Sequence, residues 1–549
     1  MKKLILPFLL LSATAFGQQI LLPTVTGNVE TTFQYLNEDT LIGAQQPSEK
    51  AVLNSYALVN YSNKGFRAGM RVESYLPHVL GYPDRFSGTG IGYRYVGYTH
   101  KKVEFTAGNF YEQFGSGMIF RSYEQRQLGI DNAMDGLSVK LTPTEGFTVK
   151  AVYGRMRYSF DSRIQNSDGL VRGVDAEIDF NSFLGLLDSS KFKISIGASF
   201  VSKFQNANNA QYNMPKNVGS YGGRVNMKYE RFFLSGEHII KENDPSFDNG
   251  YIFNNGHATL IEAGYSQKGL GIVVQAKSID NMSYRVDPDA ALTDLQINFL
   301  PALTKSHTYN LAATLYPYAT QPVGEVAFQA DVFYKIPKKT KLGGKYGTQI
   351  NVNFATAYRP VRHTSGVNPL DSNRVTYKTG LFEKSDSLFY RDINIEIKRK
   401  LNKKWKVGVK YFHFDYNNDV NVVTKDAKGI ISSHIGVIDV QYKISRRHSI
   451  RGELQGLFTK KDKGNWATAL IEYNISPKFF FAVMDQWNYG NSVKSRQIHY
   501  LIGSAGYIMG ASRIMVTYGK QREGIFCIGG VCRPVPATNG LTVTFTSSF

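Results

Sequence analysis

Two cysteines, Cys527 and Cys532, are all the thiol chemistry that this 549-residue sequence has. So few exclude a disulfide framework as the basis of the fold, and two thiolates alone make a poor zinc site, which takes four ligands. Beyond residue 17 no apolar run approaches the ~20 residues that a spanning helix needs, which excludes a helical membrane bundle. Ten histidines are scattered without HExxH or other ligand spacing, and no GxSxG, Walker or dinucleotide fingerprint follows a strand and opens a helix. No nucleophile can be paired with a base, so the reading is of a non-enzyme without cofactor or metal. One acidic stretch, Asp415 to Asp419, begins like a calcium loop with Asp426 at its twelfth position, but Val420 stands where that loop needs glycine.

What is present is aromatic and glycine-rich: 34 tyrosines, 35 phenylalanines and 51 glycines, with a mean hydropathy below zero. That combination suits a barrel whose strands alternate between lipid and water. Period two runs from one end of the chain to the other. Ile393, Ile395 and Ile397 alternate with Asp392, Asn394, Glu396 and Lys398; Trp405, Val407, Val409 and Tyr411 oppose Lys404, Lys406, Gly408 and Lys410. Phe66, Ala68, Met70 and Val72 alternate with Arg67, Gly69, Arg71 and Glu73, and "KFKISIGASF" (191–200) repeats the scheme. A Lys or Arg at the bilayer midplane of a barrel costs ~2–4 kcal/mol, so the charged face must look into the lumen. Inward charges then have both signs: Arg67, Arg71, Arg94, Lys140 and Lys193 against Glu73, Glu104, Asp175, Glu177 and Asp179.

Short connections such as 62–65, 101–102 and 268–269 alternate with long ones such as 36–50, 77–90, 110–134, 160–170 and 522–537. Short periplasmic turns against long external loops are the pattern of outer-membrane barrels. Enforcing it makes "LTDLQINFL" (292–300) a strand and gives about 26 strands, within a range of 22 to 26, with both termini periplasmic. The expected fold is all-β: a single large transmembrane antiparallel barrel over 18–549, after a signal peptide at 1–17 with Lys2 and Lys3, an apolar middle and Ala15-Phe16-Gly17 at its cut. The formal charge of +20 sits largely in turns at 337–345, 398–406 and 445–448, as solvated lysines or contacts for anionic lipid headgroups; an exported protein has no call on nucleic acid. The chain ends on an alternating strand, with Leu541, Val543, Phe545 and Phe549 on one face. A barrel closes by pairing its last strand with its first. A final strand ending on Phe also resembles the C-terminal signal read by the outer-membrane assembly machinery.

Residues 109–136 break the alternation with a mixture of glycine, aromatic and charged groups, and loops this long are functional or disordered. Its aromatic content argues for a loop folded inward, with Arg121, Tyr123, Glu124, Arg126 and Asp131 lining a constriction beside the wall residues Arg67, Arg71, Glu73 and Arg94. Glycines 115, 117 and 129 would permit its tight turns. The residues Gly108-Asn109-Phe110-Tyr111-Glu112-Gln113-Phe114-Gly115, Arg121-Ser122-Tyr123-Glu124, Leu128-Gly129 and Asp135-Gly136, with the signal peptide and "CIGGVCRPVPATNG", carry a resemblance. The chain resembles a domain-of-unknown-function family of Bacteroidota outer-membrane barrels, which implies location and fold and brings no activity with it. Cys527 and Cys532, flanking a Gly-Gly turn in the last external loop, are expected to form a disulfide. The functional expectation is a porin-like channel or transporter partly occluded by an internal loop. The alternative is a non-catalytic barrel subunit of an outer-membrane assembly or secretion complex. Expected partners are outer-membrane lipid and lipopolysaccharide, the assembly machinery, and possible proteins of such a complex.

Overall fold

The computed structural model describes residues 23–45, 48–185, 190–206, 211–367, 375–420, 427–528 and 531–549. The expected signal peptide at 1–17 and Asp426 lie outside the described residues. One 24-stranded sheet closes on itself. Its first strand, Thr24–Asn37, pairs antiparallel with Ala51–Asn63 on one edge and with the last strand, Thr538–Ser548, on the other. The seam extends to Phe549, which exchanges both backbone hydrogen bonds with Gly27, at 2.9 and 3.0 Å. A barrel leaves no strand edge unpaired, which is why the alternating last strand is used to its end. Among the described residues no helix is long and apolar enough to cross a membrane.

The expected face assignment holds except at Arg94, which shares the outward parity of Val96 and Tyr98. Phe66, Met70, Ile393, Ile395, Ile397, Trp405, Val409 and Tyr411 are exposed outward, whereas Arg71 and Glu73 are buried inward. Long connections gather at one end of the barrel and short turns at the other, with Thr24, where the first strand begins, and Phe549 on the short-turn side. Two connections depart from the expected pattern. Residues 160–170 hold only a tight turn between Phe147–Asp161 and Ile164–Asp179, and 180–191, on the short-turn side, carries the small helix Phe180–Leu184. There Asp179 accepts hydrogen bonds from the backbone of Asn181 and Ser182 as an N-cap.

The strand count is 24, inside the expected range and below 26 because residues 281–323, with 292–300 among them, supply no barrel strand. The chain leaves the wall at Asp280 and regains it at Gly324, and residues 281–323 run inside the lumen. Leu295, Ile297 and Leu300 are apolar because they face a protein core rather than lipid. A period-two pattern cannot distinguish these two destinations.

Candidate functional site

A second inward segment enters where the wall is shortest. The strand Val103–Phe110 ends early, and its chain dives inward before returning as Met134–Thr144. The flanking strands Phe86–His100 and Phe147–Asp161 meet beyond that gap through Phe86 with Phe160 and Ser87 with Asp161. The expected inward loop is therefore present, and it does not act alone. Arg121 N–H donates to Ile297 O at 2.8 Å, Phe299 N–H donates to Gly117 O at 2.9 Å, and Asn132 Nδ2 donates to Gln296 O at 2.9 Å. The 111–133 and 281–323 segments thus interlock by backbone bonds. Gly115, Gly117 and Gly129 all adopt positive φ, the conformation that glycine makes cheap. At Gly115 there is also no room for more: an added Cβ would lie 2.5 Å from a carboxylate oxygen of Glu237, which accepts from the Ser116 amide.

Two apolar cores weld this plug to the wall. In one, Phe114, Met118, Ile119 and Phe120 pack with Ile297 against inward Val171, Val201, Ile239 and Ile279. In the other, Tyr309, Leu311, Tyr316 and Tyr318 pack against Phe412, Phe414, Ile431, Ile435, Leu457 and Trp466. Polar anchors hold the second segment in register: His307 lies 2.7 Å from Asp392, Gln455 accepts from the Leu311 amide, and Tyr318 O–H donates to Glu325 at 2.7 Å.

The sequence-derived candidates divide into three groups. Arg71, Glu73, Glu124, Arg126 and Asp131 form one network. Arg71 reaches Glu73 and Asp131 at 2.6 Å and Glu124 at 3.0 Å, and Arg126 joins Glu124 to Glu30 of the first strand. Burial, with Asp131 beside it, pushes the Glu124 carboxyl up. Arg67 and Arg94 pair outside that network. Arg67 meets Glu104 on the inner wall, but Arg94 is not a lumen residue: it lies in register with outward Met70, shares the parity of outward Val96 and Tyr98, and meets Asp135 on the outer face at 3.3 Å. Arg121 makes no ion pair among the described residues; it lies between the rings of Tyr123 and Phe299, 4.5 and 4.2 Å from their centres.

The central member of the network was not foreseen. Arg157 is fully buried and donates to Glu73 at 2.7 Å, to Asp131 at 2.6 Å and to the Gly92 carbonyl at 2.9 Å. Its strand shifts register on either side of it, so inward and outward residues exchange parity there. Outward Tyr153 and Tyr158 bracket the shift, and "RMRYSF" therefore reads as broken alternation. Gly92 is required opposite: a Cβ there would overlap the Glu73 carboxylate at 2.0 Å. Carboxylates alone do not make a metal centre here, and among the described residues no group of three or more His, Cys, Asp or Glu is placed to hold an ion.

The filling is unequal around the ring. Between the plug helix Asn310–Thr314, the wall strands Phe479–Trp487, His499–Met509 and Ser512–Gln521, and the hairpin of Gly524–Ile528 and Val531–Val535 lies a cavity of about 440 Å³. In that hairpin Cys527 and Cys532 stand directly opposite one another. From here round the seam the inward side chains include half-buried Ser504, Thr517, Thr542, Thr544, Thr546 and Thr32, with Arg513, Met515 and Glu30 on the same face.

Solved structures similar to the chain are outer-membrane barrels. The siderophore receptor PirA from Pseudomonas aeruginosa aligns at 11% identity and a TM-score of 0.41, over 96% of this chain and 80% of that one. The translocation pore of the P pilus usher PapC aligns at 9% and 0.39, over 96% and 99%. OccK8 (OprE) from Pseudomonas aeruginosa aligns at 10% and 0.35, over 96% and 98%. No curated protein sequence matches the chain. Across residues 1–549 the sequence matches one family model, and the chain belongs to that family, the family of unknown function DUF6029.

Proposed function

We propose that this barrel is an outer-membrane channel or transporter whose lumen is narrowed by its own two inward segments. In this reading solute passes along the hydroxyl-lined sector beside the seam. The observation that supports it most is the contrast in the inner wall: Phe412, Phe414, Ile431 and Ile435 are fully buried under the plug, whereas Thr542, Thr544, Thr546 and Thr517 keep accessible surface. A 24-stranded ring is wide enough to hold an aqueous path beside a plug. The long-loop end faces outward from the cell, both termini are periplasmic, and the assembly machinery reads Phe549 after a signal peptide directs export. The Cys527–Cys532 pair forms a disulfide that pins the last loop, and the lipid-facing band meets outer-membrane lipid and lipopolysaccharide.

The second reading, a non-catalytic barrel subunit of an assembly or secretion complex, draws support from the dryness of the two cores, which suit a permanently filled anchor. Planar-bilayer recording of the purified full-length protein separates the two. Discrete conductance steps support the channel; a silent bilayer, with folded protein in it and other outer-membrane proteins co-purifying from native membranes, supports the subunit.

A further inference from the structure

The cavity between plug and wall is lined by three cationic side chains, Lys520, Arg522 and Arg533, and by no carboxylate. Lys520 is matched by Asp39 at 2.7 Å. Among the described residues neither arginine is matched in an ion pair. Arg522 donates to the Glu523 carbonyl at 3.1 Å and to Thr314 Oγ1 at 2.5 Å, and lies 5.6 Å over the Trp466 ring. Arg533 donates to the carbonyls of Gln127, at 2.8 Å, and of Gly81. Every acceptor is neutral, and the nearby Glu523 side chain is engaged by Lys463 at 3.2 Å. Elsewhere in the interior buried arginines meet carboxylates: Arg157 on Glu73 and Asp131, Arg224 on Asp175, Arg285 on Asp248.

A cation taken out of water without a counter-ion is costly, and the cost is relieved when an anion arrives. Burial accordingly pushes Arg522 down to about 10 and lowers Arg533, and both remain charged at neutral pH. The planar guanidinium matches carboxylate and phosphate oxygens in pairs. Met484, Ile502, Ile525 and Val535 supply apolar surface, while Gln486 and Tyr500 supply neutral hydrogen-bonding groups. A volume of about 440 Å³ falls in the ~300–1,000 Å³ range of small-molecule pockets. Met484, Tyr500 and Ile502 alternate with the outward residues Val483 and Leu501, so the cavity opens to the lumen and not to lipid.

We propose that this cavity binds a small water-borne anion with an apolar body, its carboxylate or phosphate held by Arg522 and Arg533. The proposal names the solute class for the channel reading and rests on that reading for what the binding serves. The test is isothermal titration of the purified full-length protein in detergent at pH 7 with benzoate and with benzamide, which shares its shape without the charge. Benzoate is expected to bind saturably and at least tenfold more tightly than benzamide. The R522Q/R533Q double variant, checked for native heat-modifiable migration on gels, is expected to lose tenfold or more in benzoate affinity. Equal binding of the two probes, or binding of neither, overturns the proposal on the unaltered protein alone, even where the variant does not fold. The channel reading fails separately: a silent bilayer with benzoate discrimination intact leaves a binding site without transport, whereas a conducting barrel that ignores benzoate overturns this inference and spares the channel.

Discussion

The inner wall from Phe147 to Trp466 and the inner wall from His499 round the seam to Asn37 are built by the same alternation and end in different states. The first is dry. Its inward Val201, Ile239, Phe412, Phe414, Ile431 and Leu457 are covered by the plug. The second is lined mainly by threonine and serine that keep accessible surface, with Arg513, Met515 and Glu30 among them and Ser504 and Thr517 bonded to one another at 3.0 Å. The outward face is apolar in both, because lipid requires it. The difference teaches that the inward face of a large barrel is set by what the chain sends into the lumen, and that it changes partway along a single strand. In Trp405–Asn417 the half near the short turns alternates apolar groups with Lys406 and Lys410, and the half near the long loops places Phe412 and Phe414 inward.

Breaking the dry side should cost most. Arg157→Ala strands Glu73 and Asp131 as buried charges, a loss of ~3–5 kcal/mol for removing one partner of such a cluster, measured by denaturant unfolding in lipid vesicles. Phe414→Ala opens a cavity in a packed core at a similar ~3–5 kcal/mol. The matching truncation on the wet side, Thr544→Ala, should stay within ~0.5 kcal/mol, as surface substitutions do. Equal penalties at Phe414 and Thr544 would mean that the two sectors do not differ as described.

The outer face gives a middle effect that should be alike in both sectors. Ile395→Arg and Val516→Arg each place a charge in the lipid band at ~2–4 kcal/mol near the midplane. Lys406→Asn, on the inner face, should cost little in the same titration. The seam tests the closure itself. Gly27→Ala brings a Cβ within 2.4 Å of the Phe549 ring, which can swing away, and 2.7 Å of the Leu58 carbonyl oxygen, which cannot, so a loss of ~1–3 kcal/mol is expected, together with slower membrane insertion of the refolding barrel.

The lipid face, the closure of last strand on first and the inward loop were legible because each follows from alternation or its interruption. Arg71, Glu73, Glu124, Arg126 and Asp131 were legible as a group for the same reason: all five sit on broken or charge-alternating stretches. Arg157 was hidden by a register shift that reverses parity within one strand. The second inward segment was hidden more deeply. Leu292-Thr293-Asp294-Leu295-Gln296-Ile297 carries the spacing of a strand, yet Leu295 and Ile297 face other protein and Leu292 is exposed. The arginines of the cavity gave no local signal, since Arg522 and Arg533 come together with Asn310 and Gln127 only through the plug.

The central claim is that two interlocked segments jointly occlude the lumen, and single-channel conductance reads it most directly. Replacing 112–133 alone with a short Gly/Ser link should raise conductance severalfold at most, because 281–323 still fills the half of the lumen next to Phe412 and Trp466. Replacing 284–320 as well, with the barrel still folded by heat-modifiable migration, should raise it further by a comparable factor. Conductance that stays at the unaltered level in the folded double replacement would contradict the account, by placing the limiting constriction outside both segments.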